Sequence, residues 1–195
     1  MADGYRVVLV PRFGATMESD WYGWLRDELD ARAKFPLDAF VFCELKPEPE
    51  KPEIAACTSH LRDLLGTDAG ALGRTIVVGH SLGAQIALRA LAGLAGNAKV
   101  AGVLCVAGWL KLDLSPKTLR AWLHEPLDRK AARSRAAKLI NVMSSNDPNQ
   151  MSILKVTRDW EESELRADVA VTAQPGHFSG SAEPFVLETL LDRFR

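Results

Sequence analysis

Short apolar runs alternate with amphipathic stretches along the whole chain, and this alternation constrains the fold more than any other feature. Six runs have the composition of buried β-strands: residues 6–10, 39–44, 75–78, 100–107, 139–144 and 169–172. Helical spacing follows them at residues 20–33, 52–65, 82–94, part of 149–164, and 184–194. Strands that alternate with helices form parallel sheets covered on both faces. The sequence therefore predicts an α/β fold, a three-layer αβα sandwich around a six-stranded parallel sheet.

The length of the chain fits a single domain over residues 1–195. A chain of 195 residues buries most of its apolar surface without the help of disulfides or a metal. A longer segment at about residues 109–135 separates the fourth and fifth predicted strands and is unusually apolar for a loop. We expect a small helical insertion there, which either forms a cover or packs on the edge of the domain.

The charge and cysteine content exclude several classes of partner. The chain has 24 Lys and Arg against 25 Asp and Glu, and these charges are scattered, so neither nucleic acid nor an anionic membrane is predicted. No stretch approaches the roughly 18 apolar residues of a membrane span, and the apolar stretch near the N-terminus is too short for a signal peptide. Three cysteines, an odd number, are interpreted as free thiols of a reducing compartment. We expect a cytoplasmic protein.

A serine lies between two glycines where the third predicted strand meets a helix, in the stretch "IVVGHSLGA". This Gly-x-Ser-x-Gly pattern is typical of the nucleophile elbow, a turn so tight that only glycine fits at Gly79 and Gly83. The elbow exposes the Ser81 hydroxyl and places the Leu82 N–H at a helix start, where it can stabilise an oxyanion. The alternative is that Ser81 is an ordinary small residue at a helix start.

A serine nucleophile needs a histidine base within hydrogen-bond reach. Of the four histidines, His177 follows the last predicted strand in a glycine-flanked loop, which returns over the edge of the sheet where Ser81 is expected. His80 lies inside the elbow and points the wrong way, His60 belongs to an earlier helix, and His124 lies in the insertion. We therefore predict His177 as the base, the alternative being a surface-loop histidine.

The third group must orient the imidazole and stabilise its positive charge. Asp147 comes shortly after the end of the fifth predicted strand, at the same edge of the sheet. The alternative is that Asp147 simply belongs to an Asn-Asp-Pro turn, which is a common signal for a turn and a helix start. Three other acids compete for the role, although none follows a strand end so directly: Asp113, Asp128 and Asp159. The chain order Ser, Asp, His is that of the α/β-hydrolases.

Four stretches together resemble one family: "VVLVPRFGATMESDWYGWL", "IVVGHSLGA", "SSNDP" and "GHF". They are similar to the small serine hydrolases related to retinoblastoma-binding protein nine, compact α/β-hydrolases with little or no lid. The likeness spans almost the whole chain. It implies that Ser81 is the nucleophile, Asp147 the acid and His177 the base. We expect the α/β-hydrolase strand order, 2-1-3-4-5-6, with the site where the order reverses.

The loop after the first strand departs from the family pattern. By the resemblance, this loop supplies the second oxyanion N–H from Phe13, but Arg12 stands where the family usually has glycine. Two interpretations remain open, in which Arg12 either moves the Phe13 N–H out of line or binds an anionic substrate group. Trp21, Trp24 and Trp109 are expected to line a shallow substrate pocket, unless they simply pack on the core.

These residues predict a serine hydrolase of the carboxylesterase type that cleaves small acyl esters through an acyl-enzyme. The chemistry requires no cofactor and no metal. The loop after the first strand lacks Gly-x-Gly-x-x-Gly, which disfavours a dinucleotide-binding enzyme. A thioesterase or acyltransferase would share the same site. The alternative from a different class is a catalytically weak or inactive hydrolase-fold protein that acts as a protein-interaction module.

Overall fold

Six parallel strands form one sheet in the order β2-β1-β3-β4-β5-β6. The computed structural model describes residues 4–32, 35, 37–112, 117–149 and 152–194. The strands are β1 Tyr5–Val10, β2 Leu37–Phe42, β3 Thr75–His80, β4 Val100–Val106, β5 Ala136–Asn146 and β6 Asp168–Pro175. The predicted α/β fold and strand order are confirmed.

Helices cover the sheet on both sides. They are α1 Tyr22–Asp30, α2 Ile54–Leu65, α3 Ala69–Gly73, α4 Leu82–Ala92, α5 Arg120–His124, α6 Arg129–Ser134, α7 Ile153–Glu162 and α8 Pro184–Arg193, with a short 3-10 helix at Lys117–Leu119. Buried side chains of α1 and α8 pack on one face of the sheet, and those of α2, α4 and α7 pack on the other. No helix within the described residues is long and apolar enough to cross a lipid bilayer.

The central strand β3 shows why an unbroken apolar run forms this sheet. All six of its residues are buried, with Val77 in the core on one face and Ile76 and Val78 in the core on the other. Side chains of a strand alternate between faces, so a strand covered on both sides must be apolar throughout. This packing places the C-terminal end of β3 in the middle of the carboxyl edge.

The observed boundaries differ from the predicted ones at a few ends. Helix α1 begins at Tyr22 rather than at residue 20, because Asp20 has a left-handed backbone with φ of 51° and cannot belong to a right-handed helix. Strand β6 runs to Pro175, three residues further than predicted. Helix α3 was not predicted, since its five residues are too few for a helical period; the Asp68 side chain caps it.

The insertion packs against α4. Its described parts are residues 109–112 and 117–135. Trp109 and Trp122 are buried in the same core as α4. From α4, the Arg89 guanidinium donates hydrogen bonds to the carbonyl oxygens of Trp122, at 2.9 Å, and Glu125, at 2.8 Å. The described part of the insertion therefore packs on α4 and its core.

Candidate active site

Ser81 occupies the turn between β3 and α4 in a strained backbone conformation. Its φ of 52° and ψ of −108° lie in a region that residues with a side chain rarely adopt. The Ser81 N–H donates to the Val106 carbonyl at 2.8 Å, which anchors the turn to β4. The strain therefore persists because the neighbouring strand holds the backbone in place.

The two flanking glycines are required by close approach. A Cβ at Gly83 would lie 2.0 Å from the carbonyl oxygen of Val10, at the end of β1. A Cβ at Gly79 would lie 2.7 Å from the Gly83 carbonyl oxygen, at the start of α4. Both neighbours are backbone atoms that cannot rotate away, so the turn tolerates no side chain at either position.

Three of the predicted residues lie in one hydrogen-bonded chain at the carboxyl edge of the sheet. The Ser81 Oγ is 2.8 Å from His177 Nε2, and His177 Nδ1 is 2.6 Å from Asp147 Oδ2. Asp147 Oδ1 accepts a further hydrogen bond from the Asn149 N–H at 2.9 Å. With Nδ1–H bound to the carboxylate, Nε2 is left as the acceptor for the serine hydroxyl. The side chain of Asp147 is 1% exposed, so little water competes for its oxygens.

The competing acids lie elsewhere. Asp128 accepts a hydrogen bond from the Ala131 N–H and caps α6, and Asp159 forms an ion pair with Lys111. Asp113 lies outside the described residues. Geometry thus favours Asp147 among the acids that the structure describes.

His80 lies inside the protein and not in the site. It is completely buried, and burial, followed by repulsion from a charged His177, lowers the pKa of His80 to about 3. Its Nδ1 is 2.8 Å from the Tyr22 hydroxyl, and its Nε2 is 2.9 Å from the His177 carbonyl oxygen. His80 is therefore a neutral residue with both ring nitrogens bonded. Sequence reasoning assigned it no role.

The two residues predicted to stabilise an oxyanion, Phe13 and Leu82, have backbone N–H groups without a partner among the described residues. The oxyanion loop, which we define as residues 11–15, follows β1, and Leu82 is the first residue of α4. The Leu82 N–H also benefits from the positive end of the α4 dipole. The Gly14 N–H donates to the Pro49 carbonyl at 2.9 Å and ties the loop to the chain after β2.

Arg12 is occupied by an internal ion pair. Its Nε and Nη2 donate to the two carboxylate oxygens of Asp20 at 2.7 and 3.0 Å, and its Nη1 donates to the Phe13 carbonyl at 3.0 Å. The hydrogen bond with Asp20 raises the pKa of the Arg12 guanidinium. The side chain therefore braces the oxyanion loop, a role that neither sequence interpretation had anticipated.

The predicted tryptophan pocket is not assembled. Trp21 and Trp109 are 0% and 1% exposed, so neither offers a surface to a substrate. Trp24, in α1, is partly buried and packs against the core. The expectation for Trp21 and Trp109 is corrected because both side chains are needed to fill the core.

A different cavity lies beside the oxyanion loop. It has a volume of about 400 Å³ and is walled by the loops after β1 and β2. Its lining residues are Ala15, Thr16, Met17, Glu18, Phe42, Glu44, Leu45, Lys46, Pro47, Glu48 and Pro49.

No group of three or more potential metal-ligating side chains occurs among the described residues.

The strand order and the serine on the turn after the third strand define a class, the α/β-hydrolases. The family model described as serine hydrolase matches residues 7–183, and the chain belongs to this family. The protein is therefore a serine hydrolase.

Solved structures share the fold. The YdeN gene product of Bacillus subtilis is 21% identical, with a TM-score of 0.81 over 97% of this chain and 98% of that chain. A YdeN-like hydrolase from Pectobacterium atrosepticum is 20% identical, with a TM-score of 0.66 over 98% and 91%. Esterase PE8 is 17% identical, with a TM-score of 0.60 over 98% and 91%. No curated protein sequence gives a significant match.

Proposed function

We propose that the protein hydrolyses small carboxylic esters, with Ser81 as nucleophile, His177 as base and Asp147 as the acid that orients the base. The observation that carries this proposal is the continuous hydrogen-bonded chain from Asp147 Oδ2 through the His177 ring to Ser81 Oγ, with distances of 2.6 and 2.8 Å. A serine hydroxyl becomes a competent nucleophile when a base so placed removes its proton.

The reaction proceeds in two halves. Ser81 Oγ attacks the ester carbonyl carbon while His177 Nε2 takes the hydroxyl proton, and the N–H groups of Leu82 and Phe13 stabilise the negative oxygen. The carbon–oxygen bond to the alcohol then breaks, and His177 gives its proton to the leaving oxygen. Water attacks the resulting acyl-enzyme with His177 again as base, and the acid leaves as Ser81 recovers its proton.

Two further points support an ester substrate of small size. Structural neighbours include esterase PE8 and a structure described with carboxylesterases of Nitrososphaera gargenis, which is a property of those proteins that we extend to this chain only as a proposal. The described part of the insertion packs on α4, so it provides little wall for a long acyl tunnel. A small-molecule ester is therefore the partner we propose, and the chemistry uses no cofactor.

The test is labelling with a fluorophosphonate probe together with turnover of p-nitrophenyl acetate. Wild type is expected to label once per chain, and Ser81→Ala not at all, because the probe reacts with an activated hydroxyl. Ser134→Ala is the matched control, since the Ala131 carbonyl is the one partner of its hydroxyl among the described residues. Labelling that survives in Ser81→Ala would contradict the proposal.

The acid is tested in the same assay. Asp147→Asn is expected to lower kcat about a thousandfold or more, because the amide favours the wrong imidazole tautomer and supplies no counter-charge. Asp128→Asn is the control, since asparagine also caps a helix, and it should retain kcat. Equal activity of the two variants would remove Asp147 from the assigned role.

A further inference from the structure

Three consecutive residues before and at the start of α1 bind two loops of the site. The Asp20 carboxylate holds the Arg12 side chain of the oxyanion loop, and the Tyr22 hydroxyl accepts the Arg12 N–H at 3.1 Å. Between them, the Trp21 indole N–H donates to the Phe178 carbonyl at 2.8 Å, across 157 residues of sequence. One short segment therefore contacts the loop that offers the Phe13 N–H and the loop that carries the base.

The loop that carries the base, residues 176–178, is strained and needs outside support. Gly176 has a φ of 101°, and Phe178, a bulky residue, has a φ of 54°. A left-handed conformation is sterically unfavourable for such a bulky residue, so the backbone relaxes unless other contacts hold it. Two carbonyls of this loop accept hydrogen bonds from elsewhere in the fold, that of His177 from His80 and that of Phe178 from Trp21.

The hydrogen bonds through His80 have a defined direction. The His177 carbonyl oxygen can only accept, so His80 Nε2 carries the proton and donates. In the neutral ring, Nδ1 is then an acceptor and receives the Tyr22 O–H, while the Tyr22 oxygen accepts the Arg12 N–H. A continuous chain of hydrogen bonds, all donated in the same direction, therefore links the oxyanion loop through Tyr22 and His80 to the backbone carbonyl of His177. Tyr22 and His80 are both fully buried, so water does not substitute for either.

We propose that Trp21, Tyr22 and His80 are positioning residues, which set the backbone of His177 relative to the oxyanion loop so that base and oxyanion donors act on one bound carbonyl. The inference rests on the proposed function, because it assumes that His177 and the Phe13 N–H take part in the reaction. None of the three touches the substrate. Their contribution is to keep the His177 ring aligned with Ser81 during the chemical step, so they affect kcat rather than substrate binding.

The experiment compares matched aromatic substitutions in steady-state hydrolysis of p-nitrophenyl acetate, with kcat expressed per folded molecule. Tyr22→Phe removes only the hydroxyl, and its control is Tyr5→Phe, the other tyrosine of the chain, which stacks on Phe35. Trp21→Phe removes the indole N–H, and its control is Trp160→Phe, because the Trp160 N–H is buried without a partner among the described residues.

Tyr22→Phe and Trp21→Phe are each expected to lower kcat about tenfold or more with KM within about twofold, because small displacements of a catalytic group cost rate rather than binding. Both controls should keep kcat within about twofold of wild type. The positioning role is overturned if Tyr22→Phe and Trp21→Phe match their controls in kcat. It is also overturned if these variants are less stable than wild type but keep its kcat. If one of the two variants fails to fold, the comparison of the other variant with its control decides. If both fail to fold while both controls fold, the role of these residues is structural, and the inference is also overturned. An active Ser81→Ala would instead refute the proposed function.

Discussion

At the scale of single residues, His80 shows how burial decides the charge of a group beside an active site. The imidazole is completely enclosed, and its pKa falls from an ordinary 6.5 to about 3, mainly because burial penalises the charged ring. The neutral form is the one whose Nδ1 can accept from Tyr22 while Nε2 donates to the His177 carbonyl. The hydrogen bonds and the suppressed pKa therefore support the same protonation state.

The suppressed pKa of His80 predicts a loss of stability in mild acid. The unfolded chain takes up a proton on this histidine as the pH falls below about 6.5, whereas the folded protein does not until the pH approaches about 3. Folding therefore becomes less favourable across that window. Between pH 7 and pH 5 the loss from His80 alone is about 2 kcal/mol in the free energy of unfolding.

Urea unfolding of wild type and His80→Gln at both pH values measures this loss. Other titrating groups are common to the two proteins and cancel in the difference between their free energies of unfolding. This difference is expected to fall by about 2 kcal/mol on acidification, because glutamine does not titrate. A difference that stays constant would mean that His80 accepts a proton in the folded protein.

The residues of the site differ in how far the sequence predicts them. Ser81, Asp147 and His177 each follow the end of a strand, and parallel strands bring such residues to one edge. His80 and Arg12 are adjacent to predicted site residues, yet their roles depend on where the side chains point. The inward orientation of His80 follows from its place in the elbow, but its hydrogen bonds to Tyr22 and His177, like the ion pair of Arg12 with Asp20, arise from tertiary contacts that no local pattern indicates.

At the scale of elements, the sharp turn from β3 to α4 is possible because α4 begins against the end of β1. Gly83 lies so close to the Val10 carbonyl that the first turn of α4 touches the strand backbone directly. The sequence predicted β3 and α4 closely, since buried strands and long helices have strong patterns. The prediction missed α3, because a helix of five residues is too short to show a periodic pattern. It also placed the start of α1 two residues too early, because the left-handed backbone of Asp20 has no signal in the hydrophobic pattern.

A methyl group added at Gly83 is therefore expected to destabilise the folded protein strongly. Gly83→Ala places a Cβ 2.0 Å from the Val10 oxygen, and relief requires α4 or β1 to move. The free energy of unfolding, measured in urea, should fall by about 3 kcal/mol or more.

Gly73→Ala provides the matched control for this substitution. Gly73 ends α3, and a Cβ built there meets no atom within 4 Å. Alanine at a helical position is worth up to about 1 kcal/mol over glycine, so this variant should be as stable as wild type or more stable. Equal stability of the two alanine variants would show that the turn and β1 are further apart than the structure places them.

At the scale of the whole molecule, the packing of the insertion bears on the size of the substrate that we propose. Trp109 and Trp122 are buried in the core, and Arg89 ties the carbonyls of Trp122 and Glu125 to α4. Apolar side chains that fill the core cannot also line a tunnel. The cavity beside the oxyanion loop, of about 400 Å³, is lined by Glu18, Glu44 and Glu48 as well as by apolar residues. Carboxylates in the wall disfavour a long apolar chain there, so we keep to the proposal of a short acyl group.

A series of p-nitrophenyl esters tests this proposal, because the leaving group stays the same while the acyl chain lengthens. A methylene buried in a tunnel contributes about 0.8 kcal/mol, or roughly a fourfold gain in kcat/KM for each methylene that is added. Without a tunnel the gain ends once the added methylenes lie in water, so kcat/KM for the decanoate should be no higher than about threefold that for the butyrate. Ser81→Ala supplies the background rate for every ester, and all esters are kept below their micelle concentrations. A rise in kcat/KM that continues from butyrate through decanoate would mean that the protein encloses a long acyl chain and that the proposed preference for small esters is wrong.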